Sequence, residues 1–138
     1  MAVVGFDFGT TNSVISVVQG DRVVNLLDEQ GLPIPSVVCY EGIQTIVGRD
    51  ARERLSQTGL GVHGNIVRSP KTLIGRESIF VGGVERSPVD VVRDVVQFAR
   101  SEAQASPVVK GVIADRAVVT IPVNMDGLDC CRFHRHRV

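Results

Sequence analysis

The chain has 138 residues, which suits one compact domain with a core of its own. Hydrophobic residues make up 43%, too many for a disordered chain. Lys plus Arg and Asp plus Glu stand at 15 each, so the overall charge makes no case for nucleic acid or a membrane surface as partner. That balance hides a local bias. Through Gly127 there are 12 basic and 14 acidic residues, and Arg132, Arg135 and Arg137 follow. No apolar run approaches the ~20 residues that span a bilayer, and no leader pattern of charged, apolar and small residues opens the chain. The three Cys form no spaced framework. A reducing, cytoplasmic setting is the default, with Cys39 as a small buried hydrophobe in a strand.

The opening residues carry the first chemistry. Ala2 to Phe8 is an apolar run, nearly unbroken, as expected for a strand covered on both faces. Gly9-Thr10-Thr11-Asn12 is a turn, and Val14 to Val18 is a second apolar run. Such a turn suits a phosphate cradle. Gly9 permits positive φ and keeps a side chain out of a ligand's way. Successive backbone N–H groups can form an anion-binding concavity, and Thr10, Thr11 and Ser13 add hydroxyl donors. Asp7 ends the first strand beside the turn, where a carboxylate can hold hydrated Mg²⁺. The alternative is a plain hairpin whose Asp bonds the turn backbone.

Gln19-Gly20-Asp21 joins Ser13–Val18 to Arg22–Leu27, giving a three-stranded meander. Asp28 to Pro35 reads as a loop broken by Gly31, Pro33 and Pro35. Ser36 to Tyr40 is a strand, Glu41-Gly42 a turn, and Thr45 to Val47 a return strand ended by Gly48. Asp50 to Gln57 reads as a helix with Ala51 and Leu55 inward and Arg49, Arg52 and Glu53 in solvent. Thr58 to Gly64 is a glycine-rich loop. Its lone His63 reads as a solvated side chain rather than a catalytic base. Asn65 to Arg68 is a short strand. Lys71 to Arg76 is a single helical turn with Pro70 just before it and Gly75 near its end.

Ile79 to Val84 is a short strand and turn. Ser87 as N-cap, Pro88 at the first helical position and Asp90 in the first turn open the clearest helix. Val89, Val92, Val96, Ala99 and Ala103 form its apolar stripe, widened by Val95 and Phe98, and Ser106-Pro107 stops it. Ala117 to Ile121 is a last strand, ended by Pro122. From Leu128 the character changes. Cys130, Cys131, His134 and His136 can be drawn as a zinc set, but adjacent Cys and alternating His lack the usual ligand spacing. Three Arg make a small footprint for nucleic acid. The tail reads as an unrelated, disordered end.

Taken together these segments resemble the start of the heat-shock 70 kDa chaperone family (DnaK type). The resemblance rests on Gly5-Phe6-Asp7-Phe8-Gly9-Thr10-Thr11-Asn12-Ser13, Ile34-Pro35-Ser36-Val37-Val38, Val47-Gly48, Lys71-Thr72-Leu73-Ile74-Gly75-Arg76, Ser87-Pro88 and Ala117-Val118-Val119-Thr120-Ile121-Pro122-Val123, in that order. It implies an α/β fold, the incomplete first lobe of an actin-like (ribonuclease H-like) ATPase, with a mixed sheet and flanking helices. The expected division is a partial nucleotide-binding domain over residues 1–127, with an insertion at about 28–115, and a basic tail over 128–138.

The resemblance further implies ATP or ADP with Mg²⁺ as cofactor. Asp7 would hold the metal's waters. Thr10 would lie by the γ-phosphate and attacking water, the Thr11 and Asn12 backbone would hold the β-phosphate, and Gly9 would be a further nucleotide-binding residue. Lys71 would stabilise charge growing on the γ-phosphate; without the family it reads as a surface lysine. Pro122 matches the family's switch proline. Client peptides and co-chaperones come as partners by family only. The opposing half of the site lies outside this sequence, so the chain alone is expected to bind nucleotide weakly or not at all. The other readings are a non-catalytic interaction module and a sugar-kinase-like phosphotransferase lobe.

Overall fold

β1 (Ala2–Phe8) alternates Val4, Phe6 and Phe8 with Val3, Gly5 and Asp7. The computed structural model, which describes residues 2–57, 64–107 and 114–120, turns the first set into the core. β2 (Asn12–Gln19) and β3 (Arg22–Leu26) continue as antiparallel neighbours, and β10 (Ala114–Val119) adds to the other edge of β1 in parallel. The sheet is therefore mixed, as the resemblance implied, and its strand order is β10-β1-β2-β3. A further short strand, β4 (Ile34–Pro35), pairs with Asn12 and Ser13 of β2. Here the expected loop is corrected. Pro35 lacks a donor but fits a strand that pairs on one side only.

The expectation that β1 is covered on both faces is also corrected. Val3 (53% exposed), Val18 (68%), Val23 (69%) and Val118 (66%) lie on the outer face, which no described residue covers. Continuous apolarity misled because it hid the alternation with Gly5 and Asp7. The strand buried on both faces is β5 (Val37–Glu41). Val38 and Tyr40 enter the main core, while Val37 and Cys39 join Ala51 in a second cluster. β5 pairs with β6 (Gln44–Val47) and β7 (Ile66–Arg68). Burial, then the neighbouring Glu41 carboxylate, raise the Cys39 thiol's pKa.

α1 (Arg49–Gln57) begins one residue earlier than expected and lies against β5. Ala51 is fully buried and Leu55 half-buried. Arg49 is not simply solvated. It meets Asp28 Oδ2 through Nε and Nη2, each at 2.6 Å. Asp28 Oδ1 also accepts from the Gln30 and Leu32 amides at 3.0 Å each, so one carboxylate organises the turn that leads to β4. Burial works against this carboxylate, but those hydrogen bonds and Arg49 outweigh it and hold its pKa below the ordinary value.

The Lys71 segment is a 3-10 turn over Pro70–Leu73, with Pro70 inside its first position rather than before it. β8 (Ile79–Val81) and β9 (Val84–Arg86) form a full hairpin. Gly82 (φ 63°) and Gly83 (φ 78°) both take positive φ, as the tight primed turn requires. Arg86 stacks its guanidinium 4.0 Å from the centre of the Tyr40 ring. The Tyr40 hydroxyl donates to Asp94 at 2.7 Å, and burial followed by that bond raises the phenol's pKa.

Asp94 belongs to α2 (Pro88–Ala105), capped as expected by Ser87, whose hydroxyl accepts from the Val89 amide at 3.3 Å. The buried centre of α2 is Val91, Val92, Val95 and Ala99, with Val89 and Val96 only half-buried. The expected stripe is thus rotated by part of a turn and had missed Val91, because an apolar helix with so many valines offers several stripes at similar spacing. β10 begins before the expected Ala117. His63, Ile121, Pro122 and the tail with its drawn zinc ligands lie outside the described residues, as does the boundary at 127.

Two stability predictions follow from these contacts. A methyl group at Gly82 would sit 2.9 Å from Tyr40 Cβ at a left-handed φ. Gly82→Ala is expected to lower stability by about 2–3 kcal/mol, read from the urea midpoint. For Asp28 the folded pKa lies below the ordinary 3.8. Its contribution is complete above the unfolded pKa and disappears as pH falls through the folded one. Asp28→Asn should destabilise by about 1–3 kcal/mol at neutral pH and flatten the acid limb of a stability-against-pH curve below about pH 4.

Candidate functional site

The bend Gly9–Asn12 connects β1 to β2 at the edge of the main core. Its near end is fixed by Phe6 and Phe8, whose rings stack at 5.9 Å, with Phe8 1% exposed. Its far end is fixed by Ser13, fully buried, whose hydroxyl lies 2.9 Å from that of Ser36. The expected positive φ at Gly9 is not found. What Gly9 supplies is space. A Cβ there would run into the Asn12 carbonyl oxygen, deep inside van der Waals contact.

The carbonyls of the bend are held from outside it. Lys71 Nζ donates to Phe8 O and lies 5.7 Å from the centre of the Phe8 ring. Ser36 Oγ donates to Gly9 O at 3.0 Å. The Ser36 amide donates to Thr11 O at 2.9 Å, and Arg52 Nη2 donates to the same oxygen at 3.3 Å and to Asn12 Oδ1 at 3.2 Å. In a trans peptide unit C=O and N–H point in opposite directions. Drawing Gly9 O toward Ser36 therefore turns the Thr10 N–H the other way. Thr10 and Thr11 are exposed, and among the described residues their amides and hydroxyls meet no acceptor. A run of unclaimed donors beside an ammonium group is chemically suited to an anion.

Asp7 alternates away from Phe6 and Phe8 and is exposed on the outer face. Its Oδ1 accepts from Thr120 Oγ1 at 2.6 Å, and the Thr120 amide donates to Phe6 O at 3.1 Å. One oxygen is thus oriented by β10's end, which leaves Oδ2 for another partner. Gly9, Thr10, Thr11 and Asn12 thus share one bend, Lys71 lies at the Phe8 carbonyl that leads into it, and Asp7 stands on the outer face of β1 beside Thr120.

Sequence reasoning did not single out Ser36 or Arg52 as part of this bend. Arg52 had been placed in solvent. It reaches the bend from α1 because β4 and β5 carry the chain back across it, a return that no local pattern announces. Ser36 did leave a signal, a hydroxyl between Pro35 and a run of buried apolar residues, since a buried hydroxyl requires a partner.

Residues 3–120 match the model of the Hsp70 protein family. The chain belongs to the Hsp70 family. It is 30% identical over 122 residues to the chaperone protein DnaK of Mycoplasma mycoides subsp. mycoides, covering 87% of this chain and 19% of that protein. The DnaK of Deinococcus radiodurans is 34% identical over 145 residues, with 89% and 22% covered. The chaperone protein HscA homolog of Pasteurella multocida is 47% identical over 74 residues, 53% of this chain and 11% of that one. The chain spans about a fifth of the length of the DnaK relatives it matches.

The mixed sheet with helices fits part of an actin-like ATPase lobe, and the sugar-kinase-like alternative gives way to the Hsp70 match. Among the described residues no helix is long and apolar enough to cross a membrane.

Gly9→Ala tests the geometry of the bend. The methyl group must displace the Asn12 carbonyl, so a loss of about 1–3 kcal/mol is expected in denaturant unfolding. Amide chemical shifts should move most at Thr10, Thr11 and Asn12.

Proposed function

We propose that this segment forms one wall of a Mg²⁺–nucleotide site, with the Gly9–Asn12 bend receiving the phosphates of ATP or ADP. The observation that supports it most is the convergence on one bend of the Lys71 ammonium and the unclaimed donors of Thr10 and Thr11. Mg²⁺, when bound, supplies charge neutralisation and a shell of ordered waters. Asp7, exposed and already oriented through Thr120, suits acceptance of hydrogen bonds from those waters. Carboxylate contact through water is common for this ion, which dehydrates reluctantly.

Each residue then has a task. The open amides of Thr10 and Thr11, with the Asn12 backbone beside them, hold phosphate oxygens. The Thr10 hydroxyl, exposed at the tip, orients a water for attack. Lys71 is held beside the bend through Phe8 O and stabilises negative charge as it grows on the transferred phosphoryl group. Client peptides and co-chaperones, together with a cytoplasmic setting, are the family's context and are proposed here for the longer protein of which such a segment is part.

The described residues offer a triphosphate one wall, that of the Gly9–Asn12 bend. A one-sided cradle leaves the ligand wet and forfeits the contacts of the opposite wall. Titration of the ¹⁵N-labelled chain with Mg-ATP should therefore perturb the Gly9–Asn12 amides and Lys71 with a dissociation constant on the order of 1 mM. Asp7→Ala should remove the Mg²⁺-dependent part of that response. Perturbations centred on the β8–β9 hairpin, or none at saturating ligand, would count against the site.

A further inference from the structure

Ser36 sits between β4 and β5, fully buried, and each of its polar groups is engaged. Its hydroxyl hydrogen goes to Gly9 O at 3.0 Å. One hydroxyl carries one hydrogen, so the 2.9 Å contact with Ser13 is donated by Ser13. Its amide goes to Thr11 O at 2.9 Å, and its carbonyl accepts the Ser69 amide at 3.1 Å. Ser69 is the one described non-glycine residue with positive φ, at 51°. That conformation persists only where its surroundings hold it. Its carbonyl accepts from the Thr72 amide at 3.0 Å and the Thr72 hydroxyl at 2.8 Å. Two residues on from Ser69, across Pro70, is Lys71, whose amine returns to Phe8 O.

These links close a ring. Phe8 and Gly9 are joined by a peptide bond. Gly9 is joined to Ser36 by the hydroxyl, and Ser36 to Ser69 by the backbone. Ser69 leads to Lys71 through the rigid proline, and Lys71 returns to Phe8. A ring with covalent joints at two places cannot shift on one side alone. We propose that Ser36 is a positioning residue that couples the bend after β1 to the turn carrying Lys71, so that the loop and the ammonium group keep one mutual geometry. The nucleotide reading above is needed only to say what that geometry serves; the coupling belongs to the chain without ligand.

The test is hydrogen exchange and NMR on the full chain, first without nucleotide. In Ser36→Ala the Ser69 amide should exchange about tenfold faster, the effect of one weakened hydrogen bond. The Lys71 ¹⁵Nζ resonance should move as well. The Gly48 amide, which donates to Val37 O on the neighbouring residue, serves as internal reference and should keep its rate. Ser36→Cys retains the volume and a weak donor, should give a smaller change of the same pattern, and carries the comparison if the alanine variant fails to fold.

The coupling is overturned if only Gly9–Thr11 respond, or if Gly48 accelerates by the same factor as Ser69, which marks a general loss of stability. In a second arm Mg-ADP is added. Slowed exchange at Ser69 in the wild type, lost in the variant, supports the coupling. The same slowing in both proteins overturns it. No response in the wild type sinks the nucleotide reading, and the ligand-free comparison still decides the coupling.

Discussion

The bend after β1 keeps its shape through the carbonyls of Phe8, Gly9 and Thr11, each drawn to a donor outside the bend. A four-residue connection left to itself satisfies its own polar groups internally, carbonyl to amide, and then has nothing to offer a ligand. Here Lys71, Ser36 and Arg52 take the acceptors, and the donors of Thr10 and Thr11 are left over. The close approach of Gly9 to the Asn12 carbonyl adds a steric condition, since a side chain at that position would reopen the turn. The open donors thus depend on residues well separated in sequence, Ser36, Arg52 and Lys71, which hold the bend's carbonyls from outside it.

This arrangement explains why the rest of the fold lies where it does. β4 and β5 must pass beside the bend to deliver Ser36, and β4 achieves this by pairing with the first two residues of β2. The Asp28–Arg49 pair fixes both the turn that leads into β4 and the start of α1. That helix in turn carries Arg52 to Thr11 and Asn12. The pair is largely buried, with side-chain exposures of 20% for Arg49 and 12% for Asp28, and the carboxylate has four directed bonds, so it specifies a geometry more than a surface ion pair does. The 3-10 turn from Pro70 then needs only a short reach to place Lys71 beside Phe8.

Much of this was legible from the residues. The Gly-Thr-Thr-Asn turn, the hairpin at Gly20-Asp21, the Ser87-Pro88 helix start and the presence of a last strand before Pro122 all have local signatures, and the order of segments pointed to the family. What could not be read were relations across the fold. Arg52 looked solvated because its helix face is polar, and its partner lies forty-one residues away. Of the two roles read for Gly9, positive φ and open space, only the second holds, because the sequence shows that a glycine is required without saying which need requires it. The valine-rich α2 offered more than one stripe, and packing against β2, β5 and β6 selected among them. Pro35 was read as a breaker, though a strand paired on one side tolerates it.

The uncovered outer face of the sheet is the other side of the same logic. Side chains alternate along β1, so sending Phe6 and Phe8 into the core commits Asp7 to the opposite face. A strand sealed on both faces could not present an oriented carboxylate to solvent without burying its charge. The exposed row of Val3, Val18 and Val23 lies on the face that Asp7 occupies, and Val118 extends it onto β10. Those valines are what a pleated sheet offers when its register is set by the needs of one carboxylate and two phenylalanines. Shifting β1 by one residue to bury Val3 would move Asp7 into the core and the rings into water, and the bend would lose the anchor at its near end.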